Sequence, residues 1–282
     1  FAAFPLLEDA GHRITLRRYY DDYVGIAREH GTGLVIETPT WRANPDWASR
    51  LGYSTERLDA ANRAAVEFAE EVRAAAAADG VTAVISGCIG PRGDGYDPGE
   101  VMTAAEAQSY HATQIQSFSE TTADQVTAMM ITNADEAVGI VRAAVAVGIP
   151  AAISFTVETT GLLPTGQSLA GAIAQVDEAT AGAAAYFMVN CAHPTHFESA
   201  LGEGGAWRTR LQGLRANASA RSHAELDEAT ELDEGDPHDL AARHRALREM
   251  LPAVTVLGGC CGTDARHVAA LWAAWASSVP AP

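Results

Sequence analysis

Cys260 and Cys261 are adjacent in the run Gly258-Gly259-Cys260-Cys261-Gly262-Thr263, directly after the apolar residues Val254, Val256 and Leu257. Neighbouring side chains on a regular strand face opposite ways, so two consecutive thiols reach one centre only where the strand gives way to a turn. The flanking glycines allow that turn. Cys191 ends a second apolar run, residues 185–190, and Cys88 follows a third, residues 81–87. Zn²⁺ favours thiolate ligands in a tetrahedron, and a catalytic site keeps one position open. Cys191, Cys260 and Cys261 supply three ligands and leave that position free. A free cysteine also serves as a small buried hydrophobe, and for Cys88, which has no partner in sequence, both roles stay open. A vicinal redox pair is the lesser alternative, because no Cys-x-x-Cys motif occurs. His193 and His196 lie close to Cys191. A histidine ligand would close the tetrahedron and make the site structural, and the residues by themselves leave that reading open.

Composition narrows the chemistry further. All 19 basic residues are arginine. Schiff-base catalysis requires a lysine amine, and so does the phosphate-binding loop of Walker type; both are excluded. A net charge of −17 and a pI near 4.8 argue against nucleic acid, whose phosphates require basic patches. No apolar run approaches the roughly 20 residues that span a bilayer, and no signal-peptide pattern opens the chain. Four cysteines in 282 residues are too few for a disulfide-stapled secreted fold. A cytoplasmic protein with small-molecule partners is expected, without nucleic acid or membrane, and a homo-oligomer is allowed by these features.

The elements that would position the thiols alternate. Strand candidates are 33–37, 81–86, 126–131, 151–156, 185–190, 211–216 and 254–257. Amphipathic, alanine-rich segments at 14–30, 55–79, 104–121, 134–147, 169–179, 195–200, 237–250 and 264–277 read as helices. This alternation implies parallel strands joined by right-handed crossovers, and the absence of polar alternation fits strands buried on both faces. Seven strands against the eight of a (β/α)₈ barrel, with residues 1–11 read as a loop ahead of the first helix, suggest that a first strand precedes Phe1. The whole chain, 1–282, reads as one domain. Chemistry in such barrels gathers at the C-terminal strand ends, where all four cysteines fall. The acidic stretch 222–239 lacks EF-hand spacing and is expected to be a solvated loop.

The Gly-Gly-Cys-Cys-Gly-Thr run, the Asn190-Cys191 strand end and the turn Gly87-Cys88-Ile89-Gly90-Pro91 resemble the homocysteine S-methyltransferase family. The resemblance covers nearly the whole chain, through Gly166 and through Asn217 in Ala216-Asn217-Ala218-Ser219. It implies a (β/α)₈ barrel, Zn²⁺ held by Cys191, Cys260 and Cys261 with Cys88 outside the ligand set, His193 and His196 in loop or supporting roles because the family leaves the fourth position to the thiol, and Asn217 among the substrate-binding residues. The implied reaction moves a methyl group from a small sulfonium or ammonium donor to homocysteine or a related thiol.

The chain departs from that pattern at two places. The family's Asp-Gly-Gly first strand is not in the sequence, and Met129 stands where the family has a Glu for the substrate's amino group. A methionine cannot pair with an ammonium ion. Glu37 or Glu158, each at a strand mouth, would replace that Glu, or the thiol is not homocysteine. Trp41, after Thr38-Pro39-Thr40, is expected to wall the pocket, since aromatic faces attract sulfonium-type cations. Zinc-assisted hydrolysis is a second reading, disfavoured because three thiolates make a poor Lewis acid. A third is a zinc-stabilised binding protein of this fold without turnover, which Met129 makes conceivable.

Overall fold

Seven apolar runs become parallel strands, and the crossovers between them are helical. The computed structural model describes residues 2–202 and 204–276. After a 3-10 turn at Phe4–Glu8, the order is α1 (Ala10–His30), β1 (Leu34–Glu37), α2 (Pro45–Arg50), α3 (Thr55–Ala78), β2 (Ala83–Ile89), α4 (Ala104–Ser119), β3 (Gln125–Ile131), α5 (Ala134–Val147) and β4 (Ala151–Phe155). There follow α6 (Leu169–Thr180), β5 (Phe187–Asn190), α7 (Pro194–Gly202), β6 (Leu211–Ala216), α8 (His223–Asp227), α9 (Pro237–Leu247), β7 (Val256–Gly259) and α10 (Ala265–Ala276). Side-chain caps start most of the longer helices: Asp9 for α1, Ser54 for α3, and Thr103 with Glu106 as a reciprocal box for α4.

The strands pair in sequence order, β1 to β7, every pair parallel. The main core lies between sheet and helices, with Ile85, Phe118, Val126, Ile140, Phe155 and Phe187 fully or almost fully buried. A smaller cluster fills the concave side: Cys88, Met129 and Met188, against Trp41, Tyr186 and Val256. β1 and β7 do not pair, yet α1 packs on α10, so the sheet curls until its first and last helices meet. Among the described residues the result is an α/β half-barrel of seven strands, consistent with the expected barrel type lacking one strand. A cavity of about 810 Å³ runs along the gap, walled by Tyr20, Leu34, Glu37, Arg215, Val256 and Trp272 among others.

Some expected boundaries move. β2 continues past Ser86 to Ile89, because Gly87 is a strand residue whose missing side chain makes room for the Phe118 ring. β7 starts and ends two residues later than expected, carrying both Gly258 and Gly259 in the strand. The short 3-10 turn at Phe4–Glu8 and the short helix α2 were not legible, and residues 222–239 are not simply a solvated loop. They include α8 and are tied down by Ser219 Oγ to Asp233 (2.7 Å) and Arg266 to Glu234 (2.9 Å). Phe1 and Ser277, the outer ends of the expected first loop and last helix, lie outside the described residues.

Candidate metal centre

Three strand ends build the site. β5 stops at Asn190 and the next residue, Cys191, takes φ 57°, a left-handed conformation unusual for a side chain other than glycine. Its N–H donates to Arg215 O on β6 (3.1 Å), which holds the strained turn in place. β7 stops at Gly259, and the following turn is pinned to β6: Cys260 N donates to Ala216 O (2.9 Å), Ala218 N to Cys261 O (3.0 Å) and Cys261 N to Asn217 Oδ1 (3.1 Å). Of the glycines read as turn formers, only Gly262 has positive φ, 77°. Gly258 and Gly259 serve close packing instead, the first against the Arg215 side chain and the second against Thr263.

The thiols of Cys191, Cys260 and Cys261 converge. Cys260 Sγ lies 3.1 Å and Cys261 Sγ 3.4 Å from Cys191 Sγ. Tetrahedral Zn–S bonds of about 2.3 Å would put sulfurs roughly 3.8 Å apart. An ion of that size therefore fits after the closer pair of thiols spreads by roughly 0.7 Å and the other by roughly 0.4 Å. Hydrogen bonds from the Cys191 and Cys260 thiols hold the Cys261 thiol well below its ordinary range. The same contacts, with burial, push Cys191 well above it, and Cys260 is raised to about 11. One thiolate stabilised by two thiols is the metal-free state these shifts describe. Loading a metal must expel the two remaining protons, so apparent metal affinity is expected to rise with pH, by about 100-fold per unit near neutrality. Competition with a chromophoric chelator at several pH values measures it; a flat profile contradicts the ligand set.

Cys88 stands apart, buried on the concave side between Met129 and Met188, with its backbone N–H donating to Thr38 Oγ1 (3.0 Å). His193 turns to Thr195 (2.8 Å) and His196 to Ala220 O (2.9 Å); neither joins the three thiols. Glu37 ends β1 in the cavity wall, with Oε2 buried and without a hydrogen-bond partner. Burial pushes its carboxyl up to about 7, against the pull of Arg215 and of the Ser86 and Thr127 hydroxyls. Glu158 lies beside His223, Oε1 to Nδ1 3.3 Å. Trp41 lines the cavity and donates its indole N–H to Met129 O (3.1 Å). Met129 sits at a register shift between β3 and β4, next to Met130 with φ 61°.

Three neighbours of the site were not singled out from sequence. Tyr96, on the loop between β2 and α4, places its hydroxyl 3.0 Å from Cys191 Sγ and 3.6 Å from Cys261 Sγ. His223 of α8 packs against the Tyr96 ring at 3.8 Å and donates Nε2–H to Cys191 O (2.7 Å). Together they flank Cys191, which is buried, while Cys261 stays exposed. Arg215 of β6 reaches under them from the concave side, Nε to Gly259 O 3.4 Å.

The homocysteine S-methyltransferase family model matches residues 6–275. The chain belongs to the homocysteine S-methyltransferase family. Its fold is similar to that of the homocysteine methyltransferase MmuM from Escherichia coli in three solved forms. The metallated form shares 19% identity over 96% of this chain and 87% of that one, with a TM-score of 0.75. The oxidized form gives 20%, the same coverages and 0.76. The apo form gives 19%, 97% and 89% coverage, and 0.69. No curated protein matches the chain. As a family member it is an S-methyltransferase, with small molecules as substrates. The three converging thiols are placed to bind one metal ion. Among the described residues no helix is long and apolar enough to cross a membrane.

Proposed function

We propose that this S-methyltransferase is zinc-dependent and methylates homocysteine or a closely related thiol, using a small sulfonium or quaternary ammonium donor. The observation that carries the reading is the meeting of Cys191, Cys260 and Cys261 at two strand ends, with Glu37 and Arg215 lining the neighbouring cavity. Zn²⁺ suits three thiolate donors and, when bound, supplies the charge that keeps a substrate thiol as its thiolate at neutral pH. The chain's own residues hold and shape the site. Asn217 fixes the Cys261 backbone, and Tyr96, packed on His223, holds its hydroxyl against the Cys191 thiol. Glu37 takes the substrate ammonium in place of the Glu that Met129 displaces, and Trp41 offers an aromatic wall to a cationic methyl donor. The thiolate sulfur forms the new bond to the methyl carbon while the donor's bond to that carbon breaks and its electron pair leaves with the donor, now neutral. The thiol proton has already passed to solvent.

The same reading places one more parallel strand between β1 and β7, completing a (β/α)₈ barrel. Both strands have a free edge there, and the flanking helices α1 and α10 already meet. The substrate groups would then occupy the upper end of the gap, where Glu37 and Arg215 lie.

Zinc-loaded and chelator-stripped protein, each given homocysteine and a methylsulfonium or a trimethylammonium donor, tests the proposal by product mass. Methionine formed only with zinc supports it. Methionine formed equally by the stripped protein, or no methylated thiol with either donor, refutes it.

A further inference from the structure

Arg215 is the one charged side chain in the apolar run Leu211–Ala216. Its neighbours Leu214 and Ala216 pack outward against the helix layer, so Arg215 projects inward, into the cavity it lines. The fold makes room for it. A Cβ on Gly258, its partner residue on β7, would lie 3.2 Å from Arg215 Cγ and 3.4 Å from Nε. Yet the guanidinium is poorly satisfied there. Its contacts are Gly259 O at 3.4 Å and Met129 Sδ at 4.0 Å, and among the described residues it forms no ion pair with a carboxylate. A guanidinium cannot shed its proton, and a buried charge without a counter-ion is costly. Its planar fork of N–H donors matches a carboxylate. Glu37, across the same cavity, also keeps an unpartnered oxygen. Had the two been meant only for each other, a close ion pair would have quenched both. Instead, each presents an open valence to a space that ends at Gly259, the residue bonded to Cys260.

We propose that Arg215 binds the carboxylate of the thiol substrate, so that with Glu37 it reads both ends of a zwitterionic amino-acid thiol. This rests on the methyltransferase reading above, and it names the group that selects the substrate. Thiols that carry an acid are accepted; those without one are rejected. Met129 fits the arrangement, since a carboxylate at that position would capture Arg215 and cancel the site.

The test pairs ligand groups with side chains. Zinc-loaded protein is titrated calorimetrically with homocysteine, with 4-mercaptobutyrate, which lacks the amine, and with 3-aminopropane-1-thiol, which lacks the acid. The wild type is compared with Arg215→Gln and Arg215→Lys, with zinc content measured in each sample. Deleting the ligand's acid should weaken wild-type binding by roughly 30-fold or more, as for a buried charge pair stripped of one partner. Arg215→Gln should weaken homocysteine and 4-mercaptobutyrate by a similar factor and leave 3-aminopropane-1-thiol within about two-fold, because that ligand has nothing for Arg215 to hold. Arg215→Lys, which keeps charge without the fork, should fall between and decides the matter if the Gln variant fails to fold. Equal weakening of all three thiols by either variant would mark Arg215 as structural, and equal wild-type binding of acid and non-acid thiols would also overturn the proposal. If no thiol binds zinc-loaded wild type, the thiol-methyltransferase reading itself falls, and this proposal with it.

Discussion

Cys260→Ser and Cys261→Ser proteins are each expected to lose metal and, with it, methyl transfer. A serine hydroxyl is a far poorer ligand than a thiolate, and the two remaining sulfurs cannot make a three-thiolate site. Loss of a group that merely supports a ligand costs about 10- to 100-fold in metal affinity, so loss of a ligand should exceed the upper figure. Cys88→Ser is the matched control: that thiol lies among Met129 and Met188, outside the cluster, and its replacement should leave metal content intact. Metal analysis of the reduced, dialysed proteins measures both. Full metal in the two ligand variants, or loss in Cys88→Ser alone, would contradict the assignment.

Glu37→Gln should weaken homocysteine binding by roughly 30- to several-thousand-fold while the metal stays bound, the range for removing one member of a buried, hydrogen-bonded charge pair. The effect depends on pH with a definite sign. Burial raises the Glu37 carboxyl to about 7, so it is largely neutral below that pH and charged above it. Wild-type affinity for homocysteine should therefore rise more steeply through pH 7 than that of the Gln variant, which keeps only the rise due to release of the thiol proton. Glu158→Gln serves as comparison. Its carboxylate is engaged with His223 on the outer side of Cys191, so a smaller loss is expected. Equal losses in the two variants, or none in either, would show that the ammonium partner is elsewhere.

Parallel strands buried on both faces are uninterrupted apolar runs, and each of the seven was visible for that reason. The errors lie where glycine was taken as punctuation. Gly87 and Gly258 sit inside strands because a ring and a guanidinium occupy the space of their missing side chains. Elements such as α2 and α8 are too short for a helical period to register. The three thiols were legible because metal chemistry restricts residue type and because two of them are adjacent. Tyr96 and His223 were not, since their contacts with Cys191 come from segments 95 and 32 residues away, and nothing local marks either residue. Arg215 could have been found: an arginine inside an apolar strand, on the inward face by alternation, is a signal in itself. The count of seven apolar runs already pointed to an incomplete barrel, and among the described residues β1 and β7 are the two edge strands.

The central claim is that the three-cysteine site receives the substrate's sulfur, and X-ray absorption at the zinc edge tests it most directly. Zinc-loaded protein should show three sulfur neighbours near 2.3 Å from Cys191, Cys260 and Cys261, and saturating homocysteine should add a fourth at about the same distance. A coordination shell unchanged by homocysteine at a concentration that calorimetry shows to be saturating would contradict the account.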